Sequence, residues 1–173
     1  MAKSLQHNST EEVRENFDKG GLFVAHGCRR GGGLGGALFE VTNSKAVRKA
    51  EFSRRWEDVK NLADFRSIKG DLRVNFLELC AVFLGLCEFR KHIEGSNVIL
   101  FVDNNSAISQ ILRAAVQNED ANSIVQKVWQ FLRDWNVRVW FERADSKLNP
   151  ADEPSRRGKG NNSYLTQEGG VHQ

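Results

Sequence analysis

Asn97-Val98-Ile99-Leu100-Phe101-Val102-Asp103-Asn104-Asn105-Ser106-Ala107-Ile108 is the stretch on which the fold turns. Val98–Val102 is an unbroken apolar run, the pattern of a strand buried on both faces. Asp103-Asn104-Asn105 ends it with residues that favour helix caps, and Ala107, Ile108, Ile111, Leu112 and Ala115 then share one helical stripe. A carboxylate at the carboxyl end of a central strand, just before a helix, stands where open α/β sheets place ligands. Asp103 is therefore a candidate functional residue. Its plain alternative is helix capping, which Asn104 or Asn105 would serve equally well.

Working upstream, Phe76–His92 gives the strongest helix signal of the chain, with Leu79, Cys80, Val82, Phe83, Leu86 and Cys87 apolar and Glu94-Gly95 as its stop. Glu78 lies inside that run between Leu77 and Leu79. A charge there needs a partner, a metal or a route to solvent. Further upstream, Leu22–His26 and Leu34–Val41 read as strands joined by a glycine-dense turn, and Asn43-Ser44 turns into a third strand over Ala46–Phe52, completing a meander. Trp56, Val59, Leu62 and Phe65 recur at three-residue intervals and suggest a short helix within Arg54–Asp71. Downstream, Asn122–Trp135 has helical spacing and Val137–Phe141 reads as a fifth strand. The order β-β-β-α-β-α-α-β predicts an α/β fold, a mixed sheet with helices on its faces.

The 173 residues hold 25 Lys plus Arg against 22 Asp plus Glu, a formal charge of +3, with 40% hydrophobic and 27% charged residues. That is the composition and length of one globular domain, not of a disordered chain. Residues 1–20 read as a polar lead-in without a secretory signal, residues 21–157 as the domain and residues 158–173 as a flexible polar tail. The longest apolar run, Leu79–Cys87, is about nine residues against the roughly 20 of a membrane helix. Cys28, Cys80 and Cys87 show no paired metal spacing, and the latter two read as small core residues. An intracellular setting, cytoplasm or nucleus, is the expectation. Gly31–Gly36 links two strands and opens no helix, which argues against a phosphate-binding loop. Trp129, Trp135 and Trp140 fall on core stripes. Lys45, Arg48, Lys49, Arg54 and Arg55, interleaved with Phe52 and Trp56, could follow a phosphate backbone, although Glu51, Glu57 and Asp58 dilute them.

Three segments together resemble a known family. Val74-Asn75-Phe76-Leu77-Glu78-Leu79-Cys80-Ala81-Val82 is similar to the glutamate-bearing helix of the ribonuclease H domains that follow reverse transcriptases. Leu100-Phe101-Val102-Asp103-Asn104-Asn105-Ser106-Ala107 resembles their strand, Asp-Asn, small residue and helix. Asn149-Pro150-Ala151-Asp152-Glu153-Pro154-Ser155-Arg156 resembles their closing signature. The nearest flavour is that of retroelement polymerases of tyrosine-recombinase and related types, and the resemblance runs from about Leu22 to Arg157.

The resemblance implies a ribonuclease H-like fold with a five-stranded mixed sheet, three antiparallel strands and then two more, flanked by helices. It implies hydrolysis of the RNA strand of an RNA–DNA hybrid, with Glu78, Asp103 and Asp152 as catalytic metal ligands for two Mg²⁺ (or Mn²⁺) ions. Several carboxylates are needed because two divalent cations about 4 Å apart repel each other. Asn104, Asn149, Arg143 and Arg156 are the implied nucleic-acid contacts, and fusion to a reverse transcriptase is the implied context.

Two departures bear on activity. Aligning Gly33-Leu34-Gly35-Gly36-Ala37-Leu38 with the family's hairpin places Ala25 where an aspartate is expected, and alanine has no oxygen for a metal. His26 is adjacent, but neighbouring strand residues face opposite ways. Arg143 stands where related domains often carry a histidine; arginine cannot be a general base near neutral pH but can contact phosphate. The expectation is a ribonuclease H-type nuclease with weak or no activity. The alternatives are an inactive nucleic-acid-binding or scaffold module on the same fold, or a different metal-dependent nuclease or strand-transfer enzyme.

Overall fold

The computed structural model describes residues 22–28, 33–42, 45–59, 71–144, 150 and 154–155. Its strands are β1 (Leu22–Cys28), β2 (Gly33–Thr42), β3 (Lys45–Arg55), β4 (Asn97–Val102) and β5 (Arg138–Arg143). Its helices are α1 (Trp56–Val59), α2 (Asp71–Glu88), α3 (Arg90–Ile93), α4 (Asn105–Arg113) and α5 (Glu119–Asp134). One sheet joins the strands in the order β3-β2-β1-β4-β5. β1, β2 and β3 pair antiparallel, whereas β4 runs parallel to both β1 and β5. The carboxyl ends of β1, β4 and β5 therefore lie at one end of the sheet, together with the start of β2.

Among the described residues the main core cluster lies on one face of this sheet. Leu34, Leu38, Phe52, Val98, Leu100 and Val102 join a single cluster with residues of α2, Ala107 and Ile111 of α4, and Ile124, Val125, Val128, Phe131 and Leu132 of α5. α2 is apolar almost all round, with Leu77, Leu79, Ala81, Val82 and Leu86 at or near zero exposure, because it is wedged between the sheet and the other two helices. The expectation of a strand buried on both faces is corrected for β4: Val98, Leu100 and Val102 are buried, while Ile99 and Phe101 are half-buried on the opposite face. The run is unbroken in polarity, but among the described residues the helices α2, α4 and α5 pack on the side that it shares with Leu38.

Other boundaries shift for local reasons. The long helix begins at Asp71 and ends at Glu88, and Arg90–Ile93 forms a separate turn before Gly95, whose φ of +71° favours glycine. α4 stops at Arg113 because Ala114 takes the left-handed conformation, so Ala115 is outside the helix and exposed, and Leu112 is exposed as well. Trp129 closes this corner, its indole donating to the Ile111 carbonyl at 2.8 Å, and Gln126 donates to the Ala114 carbonyl at 2.7 Å. Cys80 is buried as expected, but Cys87 is exposed. Trp129 and Trp135 pack against the core, and Arg90 stacks on the Trp135 ring at 3.1 Å. Trp140 is half-buried and sits outside that cluster. The expected lead-in and tail, and the Leu62–Phe65 part of the short helix, lie outside the described residues.

Candidate functional site

Glu78 stands in the second turn of α2 and is 2% exposed. Only Glu78 and Ser155 among the described residues are polar and this deeply buried. The apolar neighbours Leu77 and Leu79 draw α2 into the core and the carboxylate goes with them. Its Oε2 accepts no hydrogen bond from any described residue, although the side chain has contacts of its own.

Asp103 follows the last residue of β4, in a bend, and is partly exposed. The next residue is the N-cap of α4: the Asn104 side-chain oxygen accepts from Ser106 N–H at 2.9 Å and from Ala107 N–H at 3.1 Å. The same side chain donates through Nδ2 to Oδ1 of Asn75 at 2.7 Å. Asn75 lies three residues before Glu78, so the two share a side of α2, and Asn104 adjoins Asp103. This hydrogen bond ties the turn bearing Glu78 to the strand end bearing Asp103. Sequence reasoning missed Asn75. The available signal was a polar residue at i−3 from a carboxylate inside an otherwise apolar helix.

The strand register bears on the first-strand position. Ala25 stands opposite Ala37 on β2 and Phe101 on β4, and His26 stands opposite Gly36 and Val102. Val102 and the neighbouring Leu38 and Leu100 belong to the cluster shared with α2, whereas Ala37 does not. By strand alternation, position 26 falls on the α2 side of the sheet and position 25 on the opposite side.

Arg143 ends β5, in register with Val102, and is exposed at the same end of the sheet as Asp103. Asn149, Asp152 and Arg156 lie outside the described residues. Pro154 and Ser155 of that closing segment are described and buried, and they dock on β2 and β3. Ser53 Oγ donates to the Pro154 carbonyl at 2.6 Å, and a Cβ built on Gly35 would lie 2.8 Å from Pro154 C and Ser155 Cα. Gly33 and Gly35 lack side chains where the segment needs room.

The basic cluster on β3 is largely neutralised. Arg48 pairs with Glu51 at 2.9 Å, Lys49 with Glu40 at 2.6 Å and Arg54 with Glu88 at 2.7 Å. Its aromatics serve packing: Phe52 is buried near Phe89, and Trp56 meets Phe76 edge-on at 5.7 Å.

Among the described residues, no group of three or more His, Cys, Asp or Glu is placed to hold a metal ion. Glu78 and Asp103 offer carboxylate oxygens, the hard donors that suit Mg²⁺ or Mn²⁺, on segments tied to each other. The donor set present fits a divalent cation in ligand type.

No protein-family model and no curated protein matches the chain. Solved structures do. The N-terminal ribonuclease H domain of a Mycobacterium tuberculosis protein, solved as a fusion with maltose-binding protein, superposes with a TM-score of 0.57 at 14% identity, covering 80% of this chain and 92% of that one. Ribonuclease H1 from the halophilic archaeon Halobacterium salinarum gives 0.56 at 13% identity, over 80% and 96%. A ribonuclease H1 isolated from compost by a metagenomic approach gives 0.53 at 14%, over 82% and 95%. Likeness at this identity establishes architecture: the chain has a ribonuclease H-like α/β fold.

Proposed function

We propose that the chain is the ribonuclease H-like domain of a retroelement reverse transcriptase, spanning residues 21–157, and that its site is built for metal-dependent hydrolysis of the RNA strand of RNA–DNA hybrids. The observation that supports this reading most is the buried Glu78 on a helix whose Asn75 is hydrogen-bonded to Asn104, next to Asp103. Buried charged groups are characteristically paired or coordinate metals. Glu78, Asp103 and Asp152 are the proposed ligands.

A divalent cation bound there would supply neutralisation of the phosphate and an activated water. The rest belongs to the protein. Glu78 presents its carboxyl group at a buried position, where a nearby charge is felt strongly. Asp103, partly exposed at the strand end, would hold the cation from the solvent side. Arg143, exposed at the same end, offers a planar pair of donors for a neighbouring phosphate. Asn104 spends its oxygen on the α4 cap and one Nδ2 hydrogen on Asn75, which leaves one hydrogen for a sugar or phosphate oxygen. Arg156 and Asn149 complete the proposed nucleic-acid contacts, and reading a 2′-hydroxyl is what separates a hybrid from duplex DNA.

The first-strand carboxylate is missing, so the chain as it stands is weakly active or inactive. The resemblance points to position 25 for that carboxylate, and the register points to position 26 as the one on the α2 side. The test is cleavage of a labelled hybrid in Mg²⁺ and in Mn²⁺ by the unaltered chain, Ala25→Asp and His26→Asp. Gain of activity in either variant, abolished again by Asp103→Asn, is the expected result. Folded variants that bind hybrid equally with and without EDTA and never cleave it would instead identify a non-catalytic binding module.

A further inference from the structure

We infer that Asn75 and Asn104 form a positioning pair, whose hydrogen bond sets the separation of Glu78 and Asp103 and so the affinity of the site for a divalent cation; this rests on the metal-site reading above. Neither carboxylate sits on the other's element: Glu78 belongs to α2, and Asp103 to the bend between β4 and α4. Something must hold the two segments at a fixed distance, because a cation tolerates donor displacements of only a few tenths of an ångström. The apolar core holds α2 against the sheet, and a directional hydrogen bond adds a constraint at the end of the sheet where the two carboxylates stand.

The Asn104 side chain supplies that direction at both ends. Its oxygen takes two N–H groups of the first turn of α4, at 2.9 and 3.1 Å, and fixes the side chain to the helix that follows Asp103. Its amide then reaches Oδ1 of Asn75 at 2.7 Å, across 29 positions of sequence. Asn75 and Glu78 stand at i and i+3 on α2, with Cβ atoms about 5–6 Å apart. Asp103 adjoins Asn104, with Cα atoms about 3.8 Å apart. One amide thus couples a helix cap to a helix turn, and a proposed ligand stands beside each of its ends. Both asparagines are only partly buried, so neither is needed to fill the core.

The pair is tested by Mn²⁺ titration, with free Mn²⁺ read from its paramagnetic resonance signal, on the unaltered chain, Asn75→Ala, Asn104→Ser and the double variant. Serine retains the α4 cap but is too short to reach Asn75. Gln126→Ala, which loosens the other end of α4 by removing the bond to the Ala114 carbonyl, is the control for helix stability. Each single variant is expected to weaken Mn²⁺ binding roughly two- to tenfold, the reach of one hydrogen bond. The double variant should be no weaker than the worse single one, and Gln126→Ala should bind as the unaltered chain does. Variants that fold and bind Mn²⁺ unchanged, additive losses in the double variant, or an equal loss in Gln126→Ala overturn the positioning role while leaving the metal site standing. Absence of Mn²⁺ binding by the unaltered chain overturns both.

Discussion

Gly35→Ala concentrates the most structural information in one methyl group. Gly35 lies in ordinary strand backbone, with no positive φ to forbid a side chain, so conformation does not oppose the change. Space does. The new Cβ would stand 2.8 Å from Pro154 C and from Ser155 Cα, both main-chain atoms that cannot rotate away. Carbon pairs are comfortable at about 3.5–4.0 Å, so the docked segment must retreat by roughly 1 Å. Overpacking of this kind costs about 1–3 kcal/mol. A retreat of that size also breaks the 2.6 Å bond from Ser53 to the Pro154 carbonyl, a further ~1 kcal/mol. The stiffer unfolded chain returns about 0.4–1 kcal/mol. The net loss is on the order of 1–3 kcal/mol. In a urea titration, with a slope of about 2 kcal/mol per molar, the midpoint should fall by roughly 0.5–1.5 M. Hydrogen exchange at Ser155 should quicken, and Ser53→Ala should reproduce only the hydrogen-bond share. A Gly35→Ala midpoint equal to or above that of the unaltered chain would refute the docking of Pro154–Ser155 on β2.

Three further outcomes follow from the same structure. Glu78→Gln exchanges a buried carboxylate for an amide of the same volume, so Mn²⁺ binding should vanish; unchanged Mn²⁺ binding would remove Glu78 from the site. Arg143→Ala, at an exposed strand end, should leave stability within about 0.5 kcal/mol and reduce the salt dependence of hybrid binding by roughly one unit of slope; an unchanged slope removes Arg143 from the interface. Burial pushes the Cys80 thiol far above its ordinary value of 9.0, while nearby Lys127 works weakly the other way. The folded chain therefore keeps a proton that the unfolded chain gives up, and this contribution to stability is full below about pH 9 and declines as pH rises beyond it. Denaturant midpoints between pH 8 and 10.5 should fall less steeply in Cys80→Ala than in the unaltered chain, and parallel profiles would contradict this.

Elements with strong periodicity were legible in the sequence. β4, α4 and α5 appear within a few residues of where their apolar patterns place them, because a helix or strand that must bury one face advertises its spacing. Which face is covered was not legible. The run Val98–Val102 looks the same whether helices lie on one side or both, and only pairing with Leu38 and Val24 shows that Ile99 and Phe101 face away from α2. The β3 cations illustrate a second limit. Glu51 was visible as a neighbour in sequence, but Glu40 and Glu88 meet Lys49 and Arg54 only through the hairpin and through α2. Glu78 was singled out by an apolar setting that the structure confirms as burial. Asn75 escaped notice because its importance lies in a partner 29 positions away, and no local pattern encodes a tertiary hydrogen bond.

The parallel pairing of β1 with β4 has a consequence for how the chain acquires its shape. Leu22 meets Val98, so 76 positions separate the partners, whereas β1, β2 and β3 pair through short connections. Closing so large a loop is slow, and the hairpins have no comparable search to make. During synthesis the meander emerges first, and the edge of β1 that β4 will cover stays bare until that distant partner leaves the ribosome. An edge left open in this way invites pairing between molecules. Expression of a fragment ending before Asn97 should accordingly yield aggregates, and the yield of soluble protein should recover only when the fourth strand is included.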